Sequence, residues 1–236
     1  MKIITGLIIL INLYYNCSTF AQYKSRESGY SYAGVGYSLV IFTNPDVTNI
    51  YPVFDIRNGR FISEFNVFYG FQINKTIAIE INPAIVYAST SEAKGYYYNT
   101  PEKNRYWYIP QSASLFELPI NARIKYFPFG NSKNFTEGLY LGLSAGPVYI
   151  KEQYDNYIYT DSSTLSLFKI STDNNDLWNW NVSFSIGISS MQKFGYGFEI
   201  SYRMIPLSVN RKTPLISSNA SNFNSFNLSL KALFGF

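Results

Sequence analysis

The final fourteen residues (223–236, FNSFNLSLKALFGF) restrict the fold more than any other stretch. From Phe226 every even position is apolar (Phe226, Leu228, Leu230, Ala232, Phe234, Phe236), while the odd positions read Asn227, Ser229, Lys231, Leu233 and Gly235. A period of two gives a β-strand one greasy face and one polar or small face. Chain ends fray into solvent, so a water-soluble domain rarely carries bare aromatics to its last residue. A sheet closed in lipid has the opposite requirement: its outer face must be apolar, and its last strand pairs with its first so that no edge remains.

The same alternation recurs upstream, and it predicts an all-β chain of eight antiparallel strands forming an up-and-down transmembrane barrel. The strands are expected at 30–42, 61–72, 76–88, 114–127, 139–150, 178–189 and 196–204, with the C-terminal run as the eighth. The sixth is the cleanest: Trp178, Trp180, Val182, Phe184, Ile186 and Ile188 alternate with Asn179, Asn181, Ser183, Ser185, Gly187 and Ser189. In the first strand Gly34 and Gly36 share a face with Tyr30 and Tyr32, and which face turns outward is open. Pro83 lies inside the third strand, where a bulge or local break is expected because proline donates no ladder hydrogen bond. Long polar connections (44–60, 89–113, 151–177, 205–222) follow odd-numbered strands and shorter turns follow even ones, the asymmetry of a transmembrane barrel. No helix is required.

Composition agrees. Charged residues make up 14% of the chain and aromatics 19%, against roughly 25% charged in an average soluble domain. No run approaches the roughly 20 apolar residues that a membrane-spanning helix needs. The net charge of +4 is dispersed, so nucleic acid is not an expected partner.

Residues 1–21 read as an export signal: Lys2, an apolar run over 3–13, then small residues that place a cut after Ala21. The mature barrel would span 22–236. Cys17 invites a lipoprotein reading, but Tyr15 and Asn16 precede it where a small residue is needed. The chain has no His, and Cys17 is its one Cys. That excludes from the mature chain disulfides, thiol nucleophiles, imidazole bases and the usual zinc ligands; no cofactor is expected.

With the fourth and fifth strands in place, the chain resembles the PorT-like outer-membrane β-barrels of Bacteroidetes-type bacteria, within the broader OmpA-like class. The resemblance rests on Phe116-Glu117-Leu118-Pro119-Ile120 and Arg123-Ile124-Lys125-Tyr126-Phe127, on 142–149 (GLSAGPVY), and on Glu199-Ile200-Ser201-Tyr202-Arg203. After Arg203 this chain has Met204-Ile205-Pro206 where such barrels often have Gly-Leu. The resemblance implies a Gram-negative outer membrane, contact with outer-membrane lipid and, in some relatives, work with secretion-system components. The terminal Leu230, Ala232, Phe234 and Phe236 are similar to the C-terminal signal that the barrel assembly machinery reads.

Two groups of candidate site residues follow. Glu64, Glu80, Glu117, Arg123, Lys125, Glu199, Arg203 and Lys231 fall on the polar faces, four acids against four bases. An eight-stranded barrel is wide enough only for its own side chains, so these charges must pair across the lumen. An enzyme on this frame would lack the histidine that such sites lean on. Tyr96, Tyr97, Tyr98, Tyr106, Trp107 and Tyr108 form an aromatic cluster in the second long connection, a candidate surface for a ligand or protein partner. The Trp and Tyr residues bordering the strands (Tyr87, Trp107, Tyr108, Tyr126, Tyr149, Trp178, Trp180) suit the membrane interface better than a sugar-binding platform. Asp155, Asp161, Asp173, Asn174, Asn175 and Asp176 in the third connection hint at calcium, but lack the spacing of a known cation loop. The expectation is a monomeric, non-enzymatic barrel with a closed lumen. The competing readings are a soluble lipocalin-like carrier, whose apolar faces would turn inward, and an outer-membrane enzyme.

Overall fold

The computed structural model describes residues 28–51, 54–55, 60–91, 94–100, 102–131, 135–161, 163–190, 194–208 and 215–236. The export signal, Cys17 and the turn formers Pro52, Asn58, Gly59 and Pro214 lie outside them. Eight strands form a closed antiparallel ring: β1 (Tyr30–Phe42), β2 (Ser63–Gln72), β3 (Ile77–Ser91), β4 (Arg105–Tyr126), β5 (Leu139–Tyr159), β6 (Leu167–Ser189), β7 (Phe194–Met204) and β8 (Ser225–Gly235). Closure comes from β8 pairing with β1, from Tyr32 opposite Gly235 to Phe42 opposite Ser225. A ninth strand of four residues, Tyr96–Asn99, pairs with the distal end of β4.

The faces follow the alternation. Ile81, Trp180 and Phe184 stand outside at 60%, 67% and 53% exposure, while Glu80, Asn82, Asn181, Ser183 and Ser185 beside them are buried. On β1 the ambiguity resolves with Val35 and Tyr37 outside and Tyr32, Gly34, Gly36 and Ser38 inside. The inward glycines leave room for rings: a Cβ on Gly70 would stand 2.2 Å from the Tyr32 ring, and one on Gly187 would stand 2.6 Å from that of Tyr140. A sheet that is apolar outside and polar inside is of transmembrane type.

Three expectations are corrected. Pro83 makes neither bulge nor break, since β3 runs unbroken and its register with β4 is the same at Pro83 opposite Ile120 as at Val86 opposite Glu117. The ring points outward, and a short gap in pairing with β2 absorbs the missing donor. The connections expected at 89–113 and 151–177 are largely strand: β4, β5 and β6 continue past the apolar band as a protruding sheet. Helices also occur. In α1 (Pro45–Ile50) the Asn44 side chain accepts a hydrogen bond from the Asp46 N–H at 3.0 Å, and Pro45 occupies the first turn, where its missing N–H costs nothing. The second, α2 (Ile216–Asn219), lies in the connection between β7 and β8, and a 3₁₀ turn covers Phe135–Gly138.

Both ends of the lumen are filled. At the end with long connections, Val47 and Ile50 of α1, Tyr51 at its C-cap, and Leu215, Ile216 and Ala220 around α2 pack against inward Val86, Leu115, Val148 and Ile150. At the short-turn end Phe127 folds under the barrel against Tyr32, Phe68, Ala78, Tyr140 and Leu233. The polar middle is sealed between these two apolar plugs.

Candidate functional site

All eight predicted lumen charges are buried inside the barrel. Five form one cluster above the lower plug. The Glu199 carboxylate (β7) accepts through Oε2 from Arg123 Nη1 (β4) at 2.9 Å, Lys231 Nζ (β8) at 2.8 Å and the Tyr140 hydroxyl (β5) at 2.6 Å. Glu80 (β3) accepts from Lys125 Nζ, from the Tyr32 hydroxyl at 3.3 Å and from Arg123 Nη1 at 3.4 Å. Arg123 thus bridges carboxylates on β3 and β7, which are diametrically opposite in the ring. The Lys125 ammonium is also caged by the Tyr32, Phe68 and Tyr140 rings, 5.5, 5.6 and 4.9 Å from their centroids, so the lower plug solvates the charge above it.

Higher in the lumen Arg203 (β7) pairs with Glu64 (β2) at 2.5 Å. Glu117 is buried without an ion-pair partner among the described residues, and one of its carboxylate oxygens has no hydrogen-bond partner there. Asn66, Asn121, Asn181 and Asn227 line the same middle zone, each with a buried polar atom unmatched among the described residues. With three cations against two carboxylates below and one cation against two above, the set balances only as a whole.

Above the charges, the upper plug is fastened by a residue absent from the predicted set. Glu152 on β5 is fully buried and accepts from the Ser217 N–H of α2 at 2.7 Å and from the Tyr154 hydroxyl at 2.8 Å. Asn175 of β6 donates to the Ser217 hydroxyl at 2.9 Å. Glu152 lies three residues beyond Tyr149 of the interfacial belt. Burial pushes its carboxyl above the usual range, and the Ser217 and Tyr154 donors pull it back part of the way. The buried carboxylate facing α2 was visible in the sequence only as an acid at an inward parity of an extended β5.

The predicted aromatic cluster is divided between two faces. A register shift between Pro110 and Ser112 reverses the parity of β4, so odd residues face inward below it and even ones above. Tyr96, Tyr98, Tyr106 and Tyr108 therefore gather on the inner face of the protruding sheet around Ile158, with Tyr96 and Tyr108 stacked at 5.5 Å. Burial pushes the Tyr108 phenol up to about 12, with Asp173 adding to the effect. Tyr97 and Trp107 pack 4.5 Å apart on the other face, where the Arg105 guanidinium lies 3.5 Å over the Tyr97 ring.

The acidic residues of the third connection serve the sheet. Asp155 accepts from the Ser112 and Thr172 hydroxyls, each at 2.7 Å, tying β4, β5 and β6 together, and these bonds hold its carboxyl below the usual range. Asp173 accepts from Asn156 at 3.1 Å and Ser171 at 2.8 Å. Among the described residues no three Asp, Glu, His or Cys side chains are grouped to hold a metal.

No protein-family model matches the chain, and no curated protein does. Several solved structures resemble it in shape. The attachment invasion locus protein Ail of Yersinia pestis, in complex with the heparin analogue sucrose octasulfate, aligns at TM-score 0.48 and 11% identity over 89% of this chain and 99% of its own. Neisserial surface protein A aligns at 0.41 and 11% identity over 88% and 97%, and OprG of Pseudomonas aeruginosa at 0.39 and 12% identity over 89% and 95%.

Proposed function

We propose that this chain is an exported outer-membrane barrel, sealed along its axis, that works without enzymatic chemistry by holding a β-sheet above the cell surface for a protein or surface ligand to bind. The observation that carries this reading is the length of β4, β5 and β6. Their polar continuations run past the Tyr87, Tyr149 and Trp178 belt for about ten further residues, roughly 25 Å at 3.3 Å per residue and 40° tilt. Water-exposed sheet of that length is not needed to span lipid, and rigid projections are where binding residues collect. The eight lumen charges act structurally, closing the bore and fixing strand register. The export signal at 1–21 and the outward residues of β8 (Leu230, Ala232, Phe234 and Phe236) serve delivery and recognition by the barrel assembly machinery.

The lipocalin-like alternative needs apolar faces turned toward a cavity, whereas Ile81, Trp180 and Phe184 point away from the lumen. The secretion-accessory role implied by the PorT-like resemblance would use the opposite end, where Phe129 in the turn after β4 is exposed. The experiment is labelling of single cysteines on intact cells with a membrane-impermeant maleimide. Ile170→Cys is expected to label and Phe129→Cys is not; the reverse would overturn the orientation and with it the surface role. A pull-down from outer membranes then separates a secretion complex from a surface partner.

A further inference from the structure

The protruding sheet has an open side. β7 leaves β6 at Met204, which pairs with Val182, and among the described residues nothing pairs with the far edge of β6 over 167–177. Just below, Asn179 is tied to the Pro206 carbonyl and Asn175 to α2, so the open stretch is anchored at its base. Ile170 on it is 67% exposed, and Phe168 and Leu167 are exposed beside it. An unpaired edge with apolar side chains is a template for another strand. Lys169, exposed and without an ion-pair partner among the described residues, and the half-buried Asp173, whose Oδ2 accepts from Asn156 and Ser171, would ordinarily blunt such an edge.

The edge is complementary to itself in one antiparallel register. Centred on Ser171, Lys169 of each copy lies opposite Asp173 of the other and Ile170 opposite Thr172; the register shift at Phe168 ends the regular stretch just beyond Lys169. Opposite charges and β-branched pairs directly across a ladder are favourable. Moving the centre to Thr172 places Lys169 against Asn175, and moving it to Asp173 places that carboxylate against its own copy. Steps of two are the ones that keep each face on its side, so the charges select a register instead of merely forbidding pairing.

We infer that the β6 edge pairs with the β6 edge of a second copy of this chain, about a two-fold axis through Ser171, and that the two copies belong to facing membranes. The inference rests on the surface placement proposed above. An antiparallel edge-to-edge pair has its two-fold perpendicular to the sheet, and the sheet stands along the membrane normal. The second barrel therefore points the opposite way, which one bilayer cannot accommodate. Ser171 lies seven residues beyond Trp178, which puts the facing membrane interfaces about 35 Å apart at 3.3 Å per residue and 40° tilt.

The test uses the full mature barrel in phospholipid vesicles of two colours, read by vesicle clustering. Wild-type vesicles are expected to cluster. Lys169→Asp and Asp173→Lys vesicles should each cluster roughly tenfold less alone, because every contact then sets like charges opposite one another. Mixing the two variants should restore clustering between colours, since each supplies the charge that the other lacks. Ser171→Cys should form a disulfide between vesicles, as Cα atoms directly opposite in a ladder stand about 4.5–5.5 Å apart. Wild-type vesicles that stay dispersed, single variants that cluster undiminished, or a mixture that fails to recover each overturn the pairing. Ile170→Cys labelling on intact cells is read in parallel. If it labels while vesicles stay dispersed, self-pairing alone fails; if it does not label, the surface placement fails with it.

Discussion

At the residue scale, Glu199 is the position on which the lumen depends most. It receives two cations and a phenol, so removing it leaves Lys231 and half of Arg123 buried without a counter-charge. Glu199→Leu is expected to cost about 3–5 kcal/mol of folding free energy, measured by urea unfolding in detergent. Adding Lys231→Leu should recover part of that loss. Glu152 is the corresponding position for the upper plug. Glu152→Ala strands the Ser217 N–H and should loosen α2 by about 1–3 kcal/mol, seen as faster amide exchange at Ile216–Asn219 with the barrel strands unchanged. Glu152→Gln keeps an acceptor in place and should retain most of the protection.

At the element scale, each long strand has a lipid half and a water half, and the two respond differently to the same substitution. Ile81→Lys, amid the apolar band, is expected to cost about 2–4 kcal/mol in detergent or bilayer, while Ile170→Lys on the protruding part of β6 should leave unfolding unchanged. The water half also carries a pH dependence. Asp155 has a folded pKa held below its unfolded value by the Ser112 and Thr172 hydroxyls, so its contribution is present above the ordinary Asp pKa of about 3.9 and is lost as pH falls through the lower folded value. Amide exchange in the distal β5–β6 hairpin should accelerate in that acid window and lose the response in Asp155→Asn.

These halves also differed in how far they could be read in advance. Below the belt one face meets lipid and the other the lumen, so Trp178 to Ser189 alternates without exception and its faces can be written down from the chain. Above it both faces meet water. Strand propensity then disfavours runs such as Asp173-Asn174-Asn175-Asp176, and only pairing with β5 holds them extended. The six aromatics of 96–108 were visible as a group, but their division between faces depends on the register shift after Pro110. The helix α1 was legible and unused: Asn44-Pro45-Asp46 is a capping signature, followed by apolar Val47 and Ile50 three apart.

At the scale of the whole molecule, the described residues place apolar plugs at both ends of an ion-paired middle. Planar bilayers containing the wild-type barrel are expected to show no unitary conductance steps, whereas an eight-stranded frame with a conducting bore would show them at once. The cross-lumen charges have a further effect on the way the barrel is made. Glu80 meets Lys125 within the β3–β4 pair and Glu199 meets Lys231 within the β7–β8 pair, but Arg123 reaches Glu199, and Arg203 reaches Glu64, only once strands from across the lumen are in place. Ring closure and completion of this charge circuit are therefore expected to form a single cooperative step.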